Sequence, residues 1–371
     1  MKKIYFFITA MMLFTLVSGQ NKWKNIPATD PFIHYMGRVE LQNDQARYNW
    51  PGVVVSARFT GSSLGIHIKG GASNYFNLWI DDRPEKVLHA VNDTTWWYPE
   101  YLEKGIHYFR LVKRTEADMG MVSFSGICIG ENESLLKLDI FQERKLLFIG
   151  NSITCGYGAE GKDKSESFNP TTENCEKSYA TIIARAFCAQ YQLISHSGLG
   201  MVRNYGDTQK LSVKIKPMPA RLDYLFDGDS TKHYDLSLFY PDAVVVNLGT
   251  NDFSTQPFPD EADFIGAGKQ LIVKLRNCYP GVKIFCIAGP MINEPCYSYT
   301  KKIVESIRTE MRTTDVLFLG VPNDLLNLDS DLGSDWHPSY RGQLKTANHI
   351  IPLMSTVLDW NYTLDELKRV R

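Results

Sequence analysis

The chain has 371 residues, 44% of them hydrophobic and 12% aromatic, with a formal net charge of −1. That length accommodates two domains with packed cores. The near-zero charge gives no electrostatic case for a nucleic-acid partner or an anionic membrane surface.

The first residues are set apart from the rest. Met1-Lys2-Lys3 is basic, residues 4–17 are apolar, and Ser18-Gly19 are small. This pattern predicts a signal peptide over residues 1–19, cleaved after Gly19, and hence a secreted or periplasmic protein. The apolar stretch is short for a membrane span, and no other segment is long enough to cross a bilayer. No cysteine follows the cleavage position, so there is no lipoprotein signal.

From about residue 32 to 130 the apolar pattern has period two. Leu64, Ile66 and Ile68 alternate with Gly65, His67 and Lys69, and Phe76, Leu78 and Ile80 share a face. Further strand-like runs cover 106–112 and 122–129, and turn residues such as Thr60-Gly61-Ser62 and Glu103-Lys104-Gly105 separate them. Short strands at this spacing predict an all-β sandwich, with a jelly roll as the preferred topology, over residues 20–135. Trp96-Trp97-Tyr98 could stack on sugar rings or pack as a strand edge with one tryptophan turned inward.

Beyond a polar connection the period changes, and residues 136–371 form the second unit. Strands are predicted at 146–149, 192–195, 243–248, 283–288 and 316–319, and helices at 179–191, 262–278, 301–312 and 340–358. The run 243–248 is continuously apolar, as a strand buried on both faces should be. Strands alternating with helices predict a three-layer α/β domain around a mostly parallel sheet.

The seven cysteines are irregularly spaced with no C-x-x-C, which argues against a zinc site. Cys155 and Cys175 flank a polar loop and could pair in an oxidising compartment. Asn327, Asp329 and Asp331 alternate like a calcium loop, but Leu332 stands where such a loop needs glycine. No metal or organic cofactor is implied. Lys210, Lys214 and Lys216 read as a solvated surface.

Four short segments fall at the ends of elements in the second unit. Ser152 follows the first strand through Gly150-Asn151; Gly198-Leu199-Gly200 follows the second. Gly249-Thr250-Asn251-Asp252 follows the third, and Asp335-Trp336-His337-Pro338 precedes the last helix. Loops after parallel strands converge on one edge of the sheet. A serine is a weak nucleophile until a base takes its proton, and His337 is a suitable base. Asn251 can offer its side-chain amide to a developing oxyanion, and a glycine can offer an unobstructed N–H.

Together these segments resemble the four blocks of the SGNH (GDSL-like) hydrolases, with Asn151 where the first block usually has aspartate. The extended first block, Tyr157-Gly158-Ala159-Glu160, and the preceding β-domain resemble carbohydrate esterase family 2 more narrowly. That resemblance implies a jelly roll joined to an SGNH domain and an acetyl esterase acting on acetylated plant polysaccharide, of the acetyl xylan esterase type. It implies Ser152 as nucleophile, His337 as base, and an oxyanion hole of Ser152 N–H, Gly200 N–H and Asn251, with Gly198 as the alternative glycine. The wider family places an aspartate three residues before the histidine, where this chain has Ser334. Asp335, two before, could orient His337, or a backbone carbonyl such as that of Trp336 could. Trp336 is expected to wall the acyl pocket and meet a sugar face. A lipid or aryl esterase, or a glycan-binding protein with an inactive esterase domain, are the other readings.

Overall fold

The computed structural model describes residues 22–83, 85–138, 142–292 and 294–363; the expected signal peptide, residues 1–19, lies outside them. The first half is a sandwich of two six-stranded antiparallel sheets. One runs in the order Glu40–Gln42, Gln45–Tyr48, Val122–Gly130, Gly65–Lys69, Thr94–Trp97, and Trp23–Pro27 also pairs with Val122–Gly130. The other runs Leu135–Leu136, Val54–Gly61, Gly105–Lys113, Tyr75–Ile80, Lys86–His89, with His34–Met36 also on Val54–Gly61. The residues that alternate in sequence, such as Ile66, Ile68, Phe76 and Leu78, are the buried ones between the sheets.

Trp96 packs against the sandwich core and Tyr98 is buried, while Trp97 points outward, 39% exposed, with its ring centroid 4.5 Å from that of Trp23. Thr94–Trp97 is thus an edge strand that packs one tryptophan inward.

The second half holds a five-stranded parallel sheet in the order Gln190–Ser195, Lys145–Gly150, Ala243–Val246, Lys283–Ala288, Val316–Gly320. Successive residues of Lys145–Gly150 face opposite layers. Leu147 and Ile149 meet the core shared with helices Glu261–Cys278 and Cys296–Glu310. Leu146 and Phe148 meet helices Tyr179–Ala186 and Tyr340–Leu358. Lys145–Gly150 has neighbours that come later in the chain on both sides, so its carboxyl end is the switch point where open α/β sheets form their crevice.

Two helix bounds depart from those expected by about a turn or more. The helix expected over 179–191 ends at Ala186, because Cys188 adopts a left-handed φ of 51° and Gln190 joins the sheet. The helix expected from 301 begins at Cys296, immediately after Pro295. The Cys155–Cys175 pairing is not formed: all seven cysteines are free. Cys155 Sγ donates to Ser195 Oγ at 3.3 Å and Cys175 Sγ to the Lys113 carbonyl at 3.4 Å.

The two halves share a buried polar seam. Trp50 Nε1 donates to the Leu225 carbonyl at 3.1 Å, and the Asn49 amide pairs with the Asp227 backbone at 2.9 Å in both directions. Arg38 donates to the carbonyls of Leu222 and Tyr224. Burial pulls its guanidinium down to about 10. Arg114 donates to the Glu173 carbonyl at 2.8 Å and pairs with Glu160.

Candidate active site

The strand Lys145–Gly150 ends in a turn that starts the short helix Ser152–Cys155. Asn151 caps it, its Oδ1 accepting the Ile153 N–H at 3.1 Å. A neutral amide oxygen serves this cap as a carboxylate would, which explains how asparagine stands in the first block. Ser152 is 7% exposed, with Oγ 2.9 Å from His337 Nε2.

His337 Nδ1 lies 2.8 Å from the carbonyl oxygen of Asp335. A carbonyl can only accept, so Nδ1 carries the proton and Nε2 is left to accept from Ser152. The Asp335 carboxylate is elsewhere: its Oδ2 accepts the Phe168 N–H at 3.0 Å and the Tyr157 hydroxyl at 3.1 Å. The expectation that this carboxylate orients the imidazole is therefore corrected, and the carbonyl is that of Asp335 rather than Trp336. The cause is local backbone geometry. Asp335 (φ 49°) and Trp336 (φ 63°) are both left-handed, which turns the Asp335 carbonyl toward the ring. Ser334, at the wider family's aspartate position, is fully buried against Gly161, where an added Cβ would lie 2.2 Å from Ser334 Oγ. A longer side chain at 334 has no room.

Burial lowers the His337 pKa below the ordinary histidine value of 6.5, and the bond to Asp335 opposes this only in part. The imidazole is neutral at pH 7, as a general base must be. Its ring packs 4.3 Å from that of Tyr157, which stacks at 4.0 Å on Phe168. Phe168 escapes sequence reasoning, since it lies in a polar loop with no periodic pattern. Trp336 is 54% exposed beside His337, with Lys164 Nζ 4.8 Å from its ring centroid. It stands on the rim.

The third and second blocks interlock. Asn251 Nδ2 donates to the Leu199 carbonyl at 2.8 Å, leaving its second amide hydrogen for a ligand. Asp252 accepts the N–H groups of Met201, Val202 and Arg203 at 2.8, 2.8 and 2.9 Å, and burial pushes its carboxyl up to about 6.

The two candidate glycines differ sharply. Gly200 N–H donates to Asn204 Oδ1 at 3.2 Å, and a Cβ there would lie 2.0 Å from the Arg203 carbonyl oxygen. Gly200 is packed into the floor and its donor is occupied. Gly198, at φ 78°, has open space where a Cβ would be, with only Tyr205 at 3.9 Å. Among the described residues its N–H and that of Ser152 have no acceptor. The glycine geometry favours Gly198, the alternative, over Gly200.

Elsewhere, Asp331 is buried and paired with Lys345 and Arg341, and its Oδ2 accepts the Asn327 N–H at 2.7 Å, so this segment is a braced polar turn. Among the described residues no helix is long and apolar enough to cross a membrane.

Comparison with known proteins gives a consistent answer. Residues 35–138 match the family described as carbohydrate esterase 2 N-terminal, and residues 148–345 match the GDSL-like lipase/acylhydrolase family. A family two carbohydrate esterase from Clostridium thermocellum, solved in complex with cellohexaose, is 35% identical and superposes with a TM-score of 0.80, covering 88% of this chain and 99% of that one. The cellulase/esterase CelE of Acetivibrio thermocellus is 36% identical over 89% of this chain, which spans 40% of CelE's length. An acetylxylan esterase/glucomannan deacetylase of Cellvibrio japonicus is 26% identical over 90% of this chain and 91% of its own. The chain therefore belongs to carbohydrate esterase family 2 and is a carboxylic ester hydrolase.

Proposed function

We propose that the protein is a secreted serine esterase that removes O-acetyl groups from plant polysaccharide, xylan or glucomannan. The observation that carries this is the 2.9 Å contact between Ser152 Oγ and a His337 whose tautomer is set by the Asp335 carbonyl. Ser152 Oγ attacks the acetyl carbonyl while Nε2 takes its proton. Ser152 N–H, Gly198 N–H and the second Asn251 amide hydrogen hold the oxyanion. The C–O bond to the sugar breaks, and the sugar oxygen leaves with the proton from Nε2. Water then attacks the acetyl-serine, gives its proton to Nε2, and acetate departs as Ser152 recovers its hydrogen.

The substrate assignment draws on two supports. The relatives from Cellvibrio japonicus bear the name acetylxylan esterase/glucomannan deacetylase. The rim holds Trp336, Lys164 and Asp335, a mixture of aromatic and charged groups that suits a sugar face better than an alkyl chain. In this reading residues 1–19 direct export, residues 20–135 form the sandwich domain, and residues 136–371 form the catalytic domain. Acetate release from acetylated xylan and acetylated glucomannan tests the assignment. Both should exceed hydrolysis of a long-chain ester; cleavage of synthetic esters with no release from either polysaccharide contradicts it.

Two predictions follow from His337. Asp335→Asn should lower kcat on a small acetyl ester by less than about ten-fold, whereas losing an orienting carboxylate costs about 10⁴-fold. Steady-state kinetics of the variant decide between them. In addition, kcat/KM should fall on acidification only below pH 6.5, because the base acts when neutral and burial lowers its pKa. A half-maximal pH above 7 would contradict a desolvated imidazole.

A further inference from the structure

The loop that joins strands Gly105–Lys113 and Val122–Gly130 belongs to the sandwich, yet its first residues are buried beneath the catalytic edge of the other domain. Lys113, Arg114, Thr115 and Glu116 are all essentially inaccessible. Glu116 Oε2 accepts the Ser197 N–H at 2.6 Å, and the Cys155 thiol approaches the same oxygen at 3.7 Å. Ser197 immediately precedes Gly198, and Cys155 ends the helix that Ser152 begins. One carboxylate oxygen therefore touches both the segment bearing the oxyanion glycine and the helix bearing the nucleophile.

The backbone that carries this carboxylate is itself held. Glu116 N–H donates to Glu173 Oε2 at 3.1 Å, and its carbonyl accepts from Lys113 Nζ at 2.8 Å. Two residues on, Asp118 Oδ2 lies 3.3 Å from His196 Nε2, and the other nitrogen of that ring pairs with buried Asp227. Burial opposes the charge on His196, but these two carboxylates outweigh it and push the imidazole up to about 10. His196-Ser197 is thus gripped from the sandwich side by Glu116 and Asp118. Glu116, Cys155 and Glu173 offer atoms within 4.8 Å of one another, as metal ligands do. Lys113 Nζ lies beside them, donating to the carbonyls of Thr115 and Glu116, and burial keeps the Cys155 thiol protonated.

We propose that Glu116 is a positioning residue of the oxyanion hole, through which the β-sandwich holds the Gly198 N–H in register with Ser152. The Gly198 carbonyl accepts the Tyr205 N–H at 2.8 Å, while on the amino side the Glu116 bond to Ser197 N–H sets the approach to the Gly198 donor; a displacement near 1 Å at such a donor costs about 10²-fold in rate. The inference rests on the Ser152–Gly198–Asn251 reading of the site and adds the sandwich domain to the catalytic apparatus.

The test uses the full chain, with Glu116→Ala, Glu116→Gln, Glu116→Asp and Ser152→Ala side by side. Glu116→Ala should lower kcat on a small acetyl ester by about ten- to hundred-fold with KM unchanged. It should weaken a boronic acid that forms a tetrahedral adduct on Ser152 by a similar factor. Glu116→Gln restores most of both, since an amide oxygen accepts the Ser197 N–H. If Glu116→Ala does not fold, Glu116→Asp replaces it: the carboxylate is kept but drawn back one methylene, and kcat and boronate affinity should fall together. A folded Glu116→Ala or Glu116→Asp with kcat within two-fold of wild type overturns the proposal, as does a kcat loss without loss of boronate affinity. Activity surviving in Ser152→Ala would overturn the site reading and this inference with it. An inactive Ser152→Ala beside an unimpaired, folded Glu116→Ala or Glu116→Asp overturns this inference alone.

Discussion

Ser152→Ala should fold as the wild type does and lose about 10⁶-fold in kcat on any acetyl ester. The size of the loss follows from the site's composition. The neutral His337 can polarise a water, but among the described residues the nucleophile held 2.9 Å from Nε2 is Ser152 Oγ. The preserved fold follows from the few bonds removed. The hydroxyl hydrogen-bonds to His337, while the strand and the Asn151 cap that precede Ser152 use groups the substitution leaves in place, the cap bonding the Ile153 N–H. Any remaining activity should come from the oxyanion donors, Ser152 N–H included, acting on bound ester. Acetate release and a thermal melt on the same preparation check both parts.

His337→Ala should lose nearly as much, and the Ser152→Ala/His337→Ala double variant should lose no more than about three-fold beyond either single. Serine without its base is a protonated alcohol, and the base without its serine has no nucleophile to activate. The two therefore fail as a unit. The variant should also lose the acid limb of kcat/KM assigned to this imidazole. Additive losses in the double variant would mean that the two residues act in separate steps. Tyr157 would lose the ring 4.3 Å away but keep Phe168 on its other face and Asp335 at its hydroxyl, so the site wall should survive.

How much of this was legible before the structure differs residue by residue. Ser152 and Asn251 were readable because each follows an abrupt change from a buried apolar run to a polar segment, and parallel strands send such ends to one edge; His337 was readable from its short block just before the last helix. The sandwich and the parallel sheet were readable from period two and from continuous apolar runs. Asp335 was not, because carboxylate and carbonyl belong to the same residue, and two left-handed φ values decide which one faces the ring. The choice between Gly198 and Gly200 turned on Asn204, whose side chain occupies the Gly200 N–H. Cys155 and Cys175 lie on either side of one loop, yet both are buried free thiols with polar partners of their own, Ser195 and the Lys113 carbonyl. Glu116 lay beyond any local pattern: it sits on a strand-to-strand loop of the other domain and reaches the site only through tertiary packing.

Ser152 should become acetylated in each turnover, with His337 driving both halves of the reaction. Rapid quenching of the wild-type enzyme with an activated acetyl ester, followed by peptide mass mapping, tests it most directly. One acetyl group should appear on the peptide containing Ser152, be lost on further incubation and never form in Ser152→Ala. Acetate release with no acetylated peptide at any quench time, or with the acetyl group on another residue, would contradict it.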